Sequence, residues 1–313
     1  MRPVAVPILA AVAVAIACEG VAADLPQRLH DTGLYQPGSA TTVRESNLPF
    51  SPQYPLWTDG AGKRRWVYLP PGGSVDASDP DHWVFPVGTR FWKEFGYERP
   101  VETRMIERVA DGSWRYASYV WKDDASDASL APAEGVVVRV TPGRTHTIPS
   151  RADCLACHEG QAVPVLGFSA LQLSPDRDPL VPHADPAPAA PLDLRRLSAL
   201  GWLRGLPPGL LKDPPRIHAS SPTARAAQGY LHANCGHCHN SAGPLAGIEL
   251  FLAQSAVKAP ENLAKARSAV PMRMRSSNPM VRMPPLGVSV IDGEGVALVE
   301  RWIREDLNNQ PER

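Results

Sequence analysis

The stretch Tyr230-Leu-His-Ala-Asn-Cys235-Gly-His-Cys238-His239 holds a Cys-x-x-Cys-His pentad, and the same pentad occurs once more at Cys154-Leu-Ala-Cys157-His158. Two thiols three residues apart on a helical turn can add to the two vinyl groups of one porphyrin. The histidine that follows then faces the iron as proximal ligand. Nine of the 313 residues are histidine, so chance would place one after both cysteine pairs in roughly one such chain in a thousand. The residues therefore point to two covalently bound haem c groups, on Cys154 and Cys157 with His158, and on Cys235 and Cys238 with His239. A four-cysteine zinc site wants its pairs about 15 to 20 residues apart, and Cys157 and Cys235 are far more widely separated. A redox dithiol belongs beside a βαβ pattern, which flanks neither pentad.

Working outward, Ser221-Pro222 reads as a helix start, with proline in the first turn where its missing N–H costs nothing. Ala227, Leu231 and Cys235 recur four residues apart, so one helical face runs straight into the second pentad. A final helix begins near Asp292 and places Leu298, Val299, Trp302 and Ile303 on one side. Between these helices lie Met272, Met274, Met280 and Met283, four of the chain's six methionines. A thioether is a soft, neutral iron ligand suited to an electron carrier. Met283 is favoured as the distal ligand because Pro284 and Pro285 stiffen its loop. Met274 is the second candidate, and adaptable core filling is the plainer role for the cluster. Residues 216–313 thus read as a small, mainly α haem domain.

Residues 24–145 have a β texture. Lys63–Leu69, His82–Trp92, Val101–Val109, Trp114–Trp121 and Val136–Val140 read as strands, and Ala110-Asp-Gly-Ser113 is a hairpin signal. An antiparallel sandwich or small barrel is expected, giving an α+β multidomain chain. Its aromatics, Trp66, Tyr68, Trp83, Phe85, Phe91, Trp92, Trp114, Tyr116, Tyr119 and Trp121, read as sheet core, with a carbohydrate platform as the alternative. Residues 146–215 form the first haem-binding segment and a proline-rich linker or strap. Ser150 is a candidate N-cap for the helix carrying the first pentad. For the sixth ligand there, His146, Met105, His183 and His82 are the candidates, with a five-coordinate iron the other option.

Residues 1–23 have the charge and apolar run of an export signal ending in Val21-Ala-Ala23, and Ala15-Ile-Ala-Cys18 resembles a lipobox that would anchor Cys18. A periplasmic or secreted chain follows. Lys plus Arg and Asp plus Glu each number 32, so no nucleic acid or anionic membrane surface is implied as partner.

The segments "YLHANCGHCHNSAGP" and "VRMPPLG...DGEGVALVERWI" resemble the C-terminal halves of class I cytochrome c domains. With "YPLWTDGAGKRRWVYLPPG", "DHWVFPVGTRFWKEF", "WRYASYVW", "IPSRADCLACHEG" and "VLGFSALQLS", the mature chain resembles a family of bacterial exported dihaem c-type cytochrome-like proteins. The resemblance implies electron transfer, with Met283 as the Met-Pro-Pro distal ligand. It implies periplasmic or membrane redox proteins as partners, and an exported β-helix protein whose genes often neighbour the family's. The chain departs from the pattern in lacking a Met-Pro loop for the first pentad. The leading expectation is a one-electron carrier with no catalytic side chains. The alternatives are a peroxidase-like enzyme with one open iron, and a β domain that binds a partner while the haem part supplies electrons.

Overall fold

The computed structural model describes residues 25–186, 190–258 and 266–307. The segment expected to be an export signal, with Cys18, lies outside the described residues. No helix among the described residues is long and apolar enough to cross a membrane.

Strands β1 (Leu48–Pro49), β2 (Gly62–Tyr68), β3 (Val75–Asp76), β4 (Arg90–Gly96), β5 (Pro100–Arg108), β6 (Trp114–Trp121), β7 (Ala128–Leu130), β8 (Val136–Thr141) and β9 (Arg144–Ile148) fill the N-terminal half. All but three of them form one antiparallel six-stranded sheet in the order β1-β2-β4-β5-β6-β7, while β8 and β9 make a separate hairpin. The β5–β6 turn forms where the sequence signals it: the Asp111 carboxylate accepts from the Ser113 amide at 2.8 Å and hydroxyl at 2.7 Å, and Gly112 takes φ +82°.

The expected sandwich or barrel is corrected to a single open sheet, and the mixed α and β class stands. Period-two alternation specifies which residues share a face but not what covers it. One face carries Trp66, Trp92, Met105, Tyr119 and Trp121, and is covered by Leu29, Leu34 and Tyr35 from the coil ahead of β1. The other carries Val67, Phe91, Ile106 and Tyr116, and is covered by Val165, Phe168, Leu171, Leu194 and Leu197. A 3-10 turn with coil on one side, and coil with the short helix Leu194–Ala199 on the other, therefore do what a second sheet would do. All ten aromatics singled out in the sequence are buried or partly buried, so they form core and no exposed platform.

The helices are α1 (Arg151–His158), α2 (Leu194–Ala199), α3 (Gly209–Lys212), α4 (Pro222–Asn234), α5 (Ala266–Arg275) and α6 (Gly293–Trp302). Between α2 and α3, β10 (Leu203–Arg204) pairs in parallel with β3. Ser150 caps α1 in a reciprocal box with Asp153, Ser221 caps α4 by accepting from the Ala224 amide, and Asp292 caps α6 by accepting from the Gly295 amide. Between α1 and α2 the proline-rich chain is strapped to the sheet. Arg177 donates to the carbonyls of Ser51 and Pro52, and Asp185 pairs with the buried Arg65.

Two glycines on helices mark close approaches, one between the strand-rich part and α4 and one between α6 and α4. A methyl group on Gly229 of α4 would sit 2.0 Å from the ring of the buried Tyr54, and one on Gly295 of α6 would sit 2.3 Å from the ring of Tyr230. Gly229→Ala should cost about 1–3 kcal/mol of stability in urea denaturation, because the ring has no room to retreat. Gly209→Ala, where nothing lies within 4 Å, should leave stability within about 0.5 kcal/mol of wild type. Equal behaviour of the two variants would refute the close approach at Gly229.

Candidate functional site

The first pentad occupies the last turns of α1, which lies against the sheet face carrying Tyr116. The imidazole of His158 packs on Tyr116 with ring centres 5.2 Å apart. Its Nδ1 is 2.6 Å from the Pro164 carbonyl, which selects the tautomer with the proton on Nδ1 and leaves Nε2 with a free lone pair. A metal-ligating histidine needs that arrangement. Burial pulls its pKa down to about 4, so the ring is neutral near pH 7. Despite these contacts none of the eight residues of α1 is fully buried, His158, Cys154 and Cys157 being partly so.

The second pentad begins where α4 ends. Cys235 is the C-cap of α4, and the chain then turns so that the His239 amide returns to the Cys235 carbonyl at 2.9 Å. The His239 ring lies near the Leu250 backbone, its Nδ1 completes no hydrogen bond, and burial lowers its pKa.

The fold brings the two pentads together. Gly160, two residues beyond His158, accepts from the Asn240 side chain at 3.0 Å. The same Nδ2 also donates to the carbonyls of Gly236 and His237, both at 3.1 Å. A methyl group on Gly160 would sit 2.9 Å from the His237 carbonyl oxygen. Cys157 and Cys238 are close enough for the charge of one to raise the pKa of the other.

The four pentad cysteines form no disulfide among the described residues. Burial pushes Cys157 up to about 11 and Cys235 up to about 12, and also raises Cys154 and Cys238. Such thiols stay protonated near neutral pH unless a bound group displaces the proton. Among the described residues no group of three or more His, Cys, Asp and Glu side chains converges as a metal site. Haem iron takes one protein ligand per face and needs no such convergence.

Between sheet, α1 and the end of α4 lies a cavity of about 230 Å³. Cys157 and His158 line it on one side, His232 and His237 on another, and Arg65, Lys93 and Arg104 on the sheet side. His237 is a residue the sequence reading passed over: it is buried, and its Nδ1 has no partner. The only available hint was that it is a second histidine within the pentad itself. His232, by contrast, accepts from the Gln254 amide at Nδ1.

The four expected sixth ligands of the first site are engaged elsewhere. His146 contacts Glu102 at 2.8 Å and the Tyr97 hydroxyl at 3.4 Å; Met105 lies in the core on the opposite sheet face. His183 contacts Asp292 at 2.8 Å and packs on Trp57, and His82 pairs with Asp79 at the surface.

Met283 is half-buried on the loop between α5 and α6, and its amide donates to the Arg273 carbonyl of α5 at 3.2 Å. The Arg273 charge in turn reaches His239. Pro284 and Leu286 to Val288 line the shared cavity, whereas Met283 does not. The far end of this loop is clasped by Asp59, whose carboxylate accepts from the Ser289 hydroxyl and from the Ser289 and Val290 amides at 2.6–2.9 Å. Met274 is core, packed with Val270 and Trp302.

Comparison of the chain with protein families, curated proteins and solved structures finds no match.

Burial holds the His232 pKa at about 4, below its ordinary 6.5. The unfolded chain therefore binds its proton first, and the stability gained by keeping this ring neutral is complete above pH 6.5 and is lost as pH falls toward 4. Relative to His232→Gln, the wild type should lose on the order of 3 kcal/mol across that window in denaturant titrations. Parallel pH profiles of the two proteins would refute the assignment.

Proposed function

We propose that the protein is an exported dihaem c-type cytochrome that relays single electrons. One haem would be bonded to Cys154 and Cys157 with His158 on its iron, the other to Cys235 and Cys238 with His239. The observation that carries this reading is the direct packing of the two pentads through Gly160, His237 and Asn240. Two attachment sites held by one asparagine are what a relay between adjacent irons needs.

The fit of the chain to the group rests on its own atoms. α1 reaches its place with none of its residues fully buried, which suits a helix whose contact face is completed by a bonded cofactor. His158 is oriented by the Pro164 carbonyl to offer Nε2, and the partly buried thiols have pKa values raised by desolvation, so they are protonated near neutral pH. When bound, each iron supplies a one-electron couple, and the protein supplies ligation, burial and orientation. Met283 is the proposed distal ligand at the second site. His237 is proposed at the first, as the imidazole of the shared cavity whose Nδ1 is buried without a partner. Redox proteins of the periplasm or membrane are the proposed partners, with an exported β-helix protein as a further one.

A second reading, a peroxidase-like enzyme with an open iron on His158, is favoured by the cavity beside that ring. Spin state separates the two. Protein purified from a host competent in cytochrome c maturation should weigh two haems more than its bare mature chain, and Cys154→Ser/Cys157→Ser should weigh one haem less. Its ferric spectrum should show two low-spin haems. His237→Ala should turn one haem high-spin, and Met283→Ala should abolish the far-red methionine-to-iron band. A wild-type high-spin haem would favour the enzyme, and a colourless protein would end both readings.

A further inference from the structure

Under the first pentad the sheet register lines up three cations. Arg65 on β2 lies directly opposite Lys93 on β4, and Lys93 directly opposite Arg104 on β5. The row ends at Ser118 on β6, whose hydroxyl approaches the Cys154 thiol. Like charges directly opposite one another destabilise a sheet, so such a row needs counter-charge. Its two outer members have it. Arg65 pairs with Asp185 of the strap, and Arg104 holds Glu102 through hydrogen bonds of 2.7 and 3.0 Å. Lys93, in the middle, has no carboxylate or carbonyl partner among the described residues; its ammonium lies 4.7 Å from the centre of the Phe95 ring. Burial first, then Arg65, Lys63 and Arg104, depress its pKa well below the ordinary value, the response of an ammonium lacking an anion. All three cations line the cavity that Cys157 and His158 also line.

The geometry points to Lys93, flanked by Arg65 and Arg104, as the receptor for a propionate carboxylate of the porphyrin carried by Cys154 and Cys157. This rests on the haem reading above and goes beyond it in assigning the group's opposite edge. Adjacent strands lie about 4.8 Å apart, so the two strand spacings from Ser118 to Lys93 span about 10 Å. That is the order of the distance across a porphyrin from its thioether edge to its propionate edge. The carboxylate would supply the missing counter-charge, and the three cations would fix the ring's rotation about the His158 to iron axis.

The test uses the full-length holoprotein and the variants Lys93→Gln and Lys93→Arg. Loss of a positive charge beside one haem stabilises its ferric state. Lys93→Gln should therefore lower the midpoint potential of one haem and leave the other unchanged, and Lys93→Arg should restore it. The propionate bending band in the resonance Raman spectrum should shift in Lys93→Gln alone. Unchanged potentials and an unchanged band in a protein carrying both haems by mass would overturn this assignment and leave the haem reading standing. Absence of haem at Cys154 and Cys157 would overturn both. Titration with sodium acetate should leave the wild-type potential unmoved; an acetate-dependent shift would give the row to a free anion and overturn the propionate.

Discussion

A side chain at residue 160 has nowhere to go. Its α-carbon faces the carbonyls of His237 and Ala156, and its own carbonyl is taken by Asn240. On this contact between two segments some eighty residues apart the rest of the architecture depends, because it is where the chain's two chemically distinctive sequences meet. Asn240 closes the junction by sharing the two N–H groups of its amide among the carbonyls of Gly160, Gly236 and His237, and its oxygen accepts from the Ala242 amide at 3.0 Å. Satisfying the Asn240 amide is what allows it to be buried in so compact a turn.

The neighbouring sheet face is charged where a core would normally be apolar. Its first cross-strand row, Val67, Phe91, Ile106 and Tyr116, is ordinary packing, and Phe168 seals it from above. The next row holds Arg65, Lys93 and Arg104, and beyond it Glu102 is fully buried. Burial pushes the Glu102 carboxyl up, but Arg104 and His146 more than offset this, so it titrates below the usual carboxylate range. Each buried ion costs several kcal/mol of desolvation. A sheet that keeps so many of them under its cysteine-bearing helix is organised for something other than stability.

What the sequence disclosed follows from how local each signal is. The pentads, the Asp111 to Ser113 turn and the Ser150, Ser221 and Asp292 caps need only residues within a few positions of one another, and all were legible. The coverings of the sheet were not, since nothing near Trp66 or Phe91 says that the coil around Leu34 and the segment around Phe168 will lie over them. A sandwich was the natural expectation from the strands alone. The cation row is likewise a product of register: Arg65, Lys93 and Arg104 are scattered in sequence and meet only once β2, β4 and β5 are aligned. His146 looked like a candidate ligand because it precedes the first pentad, but Glu102 and Tyr97, both remote in sequence, claim its ring.

The Asp59 clasp bears on how this chain could be made smaller. The loop that carries Met283 is tied down at its far end by a carboxylate from the strand-rich half, and Trp57 from the same turn donates to Val290 and to the Asn234 side chain. A fragment cut near residue 216 would keep both cysteines and the histidine of the second pentad but forfeit these ties. Miniaturising the C-terminal half would first require replacing that borrowed anchor with one encoded inside the fragment.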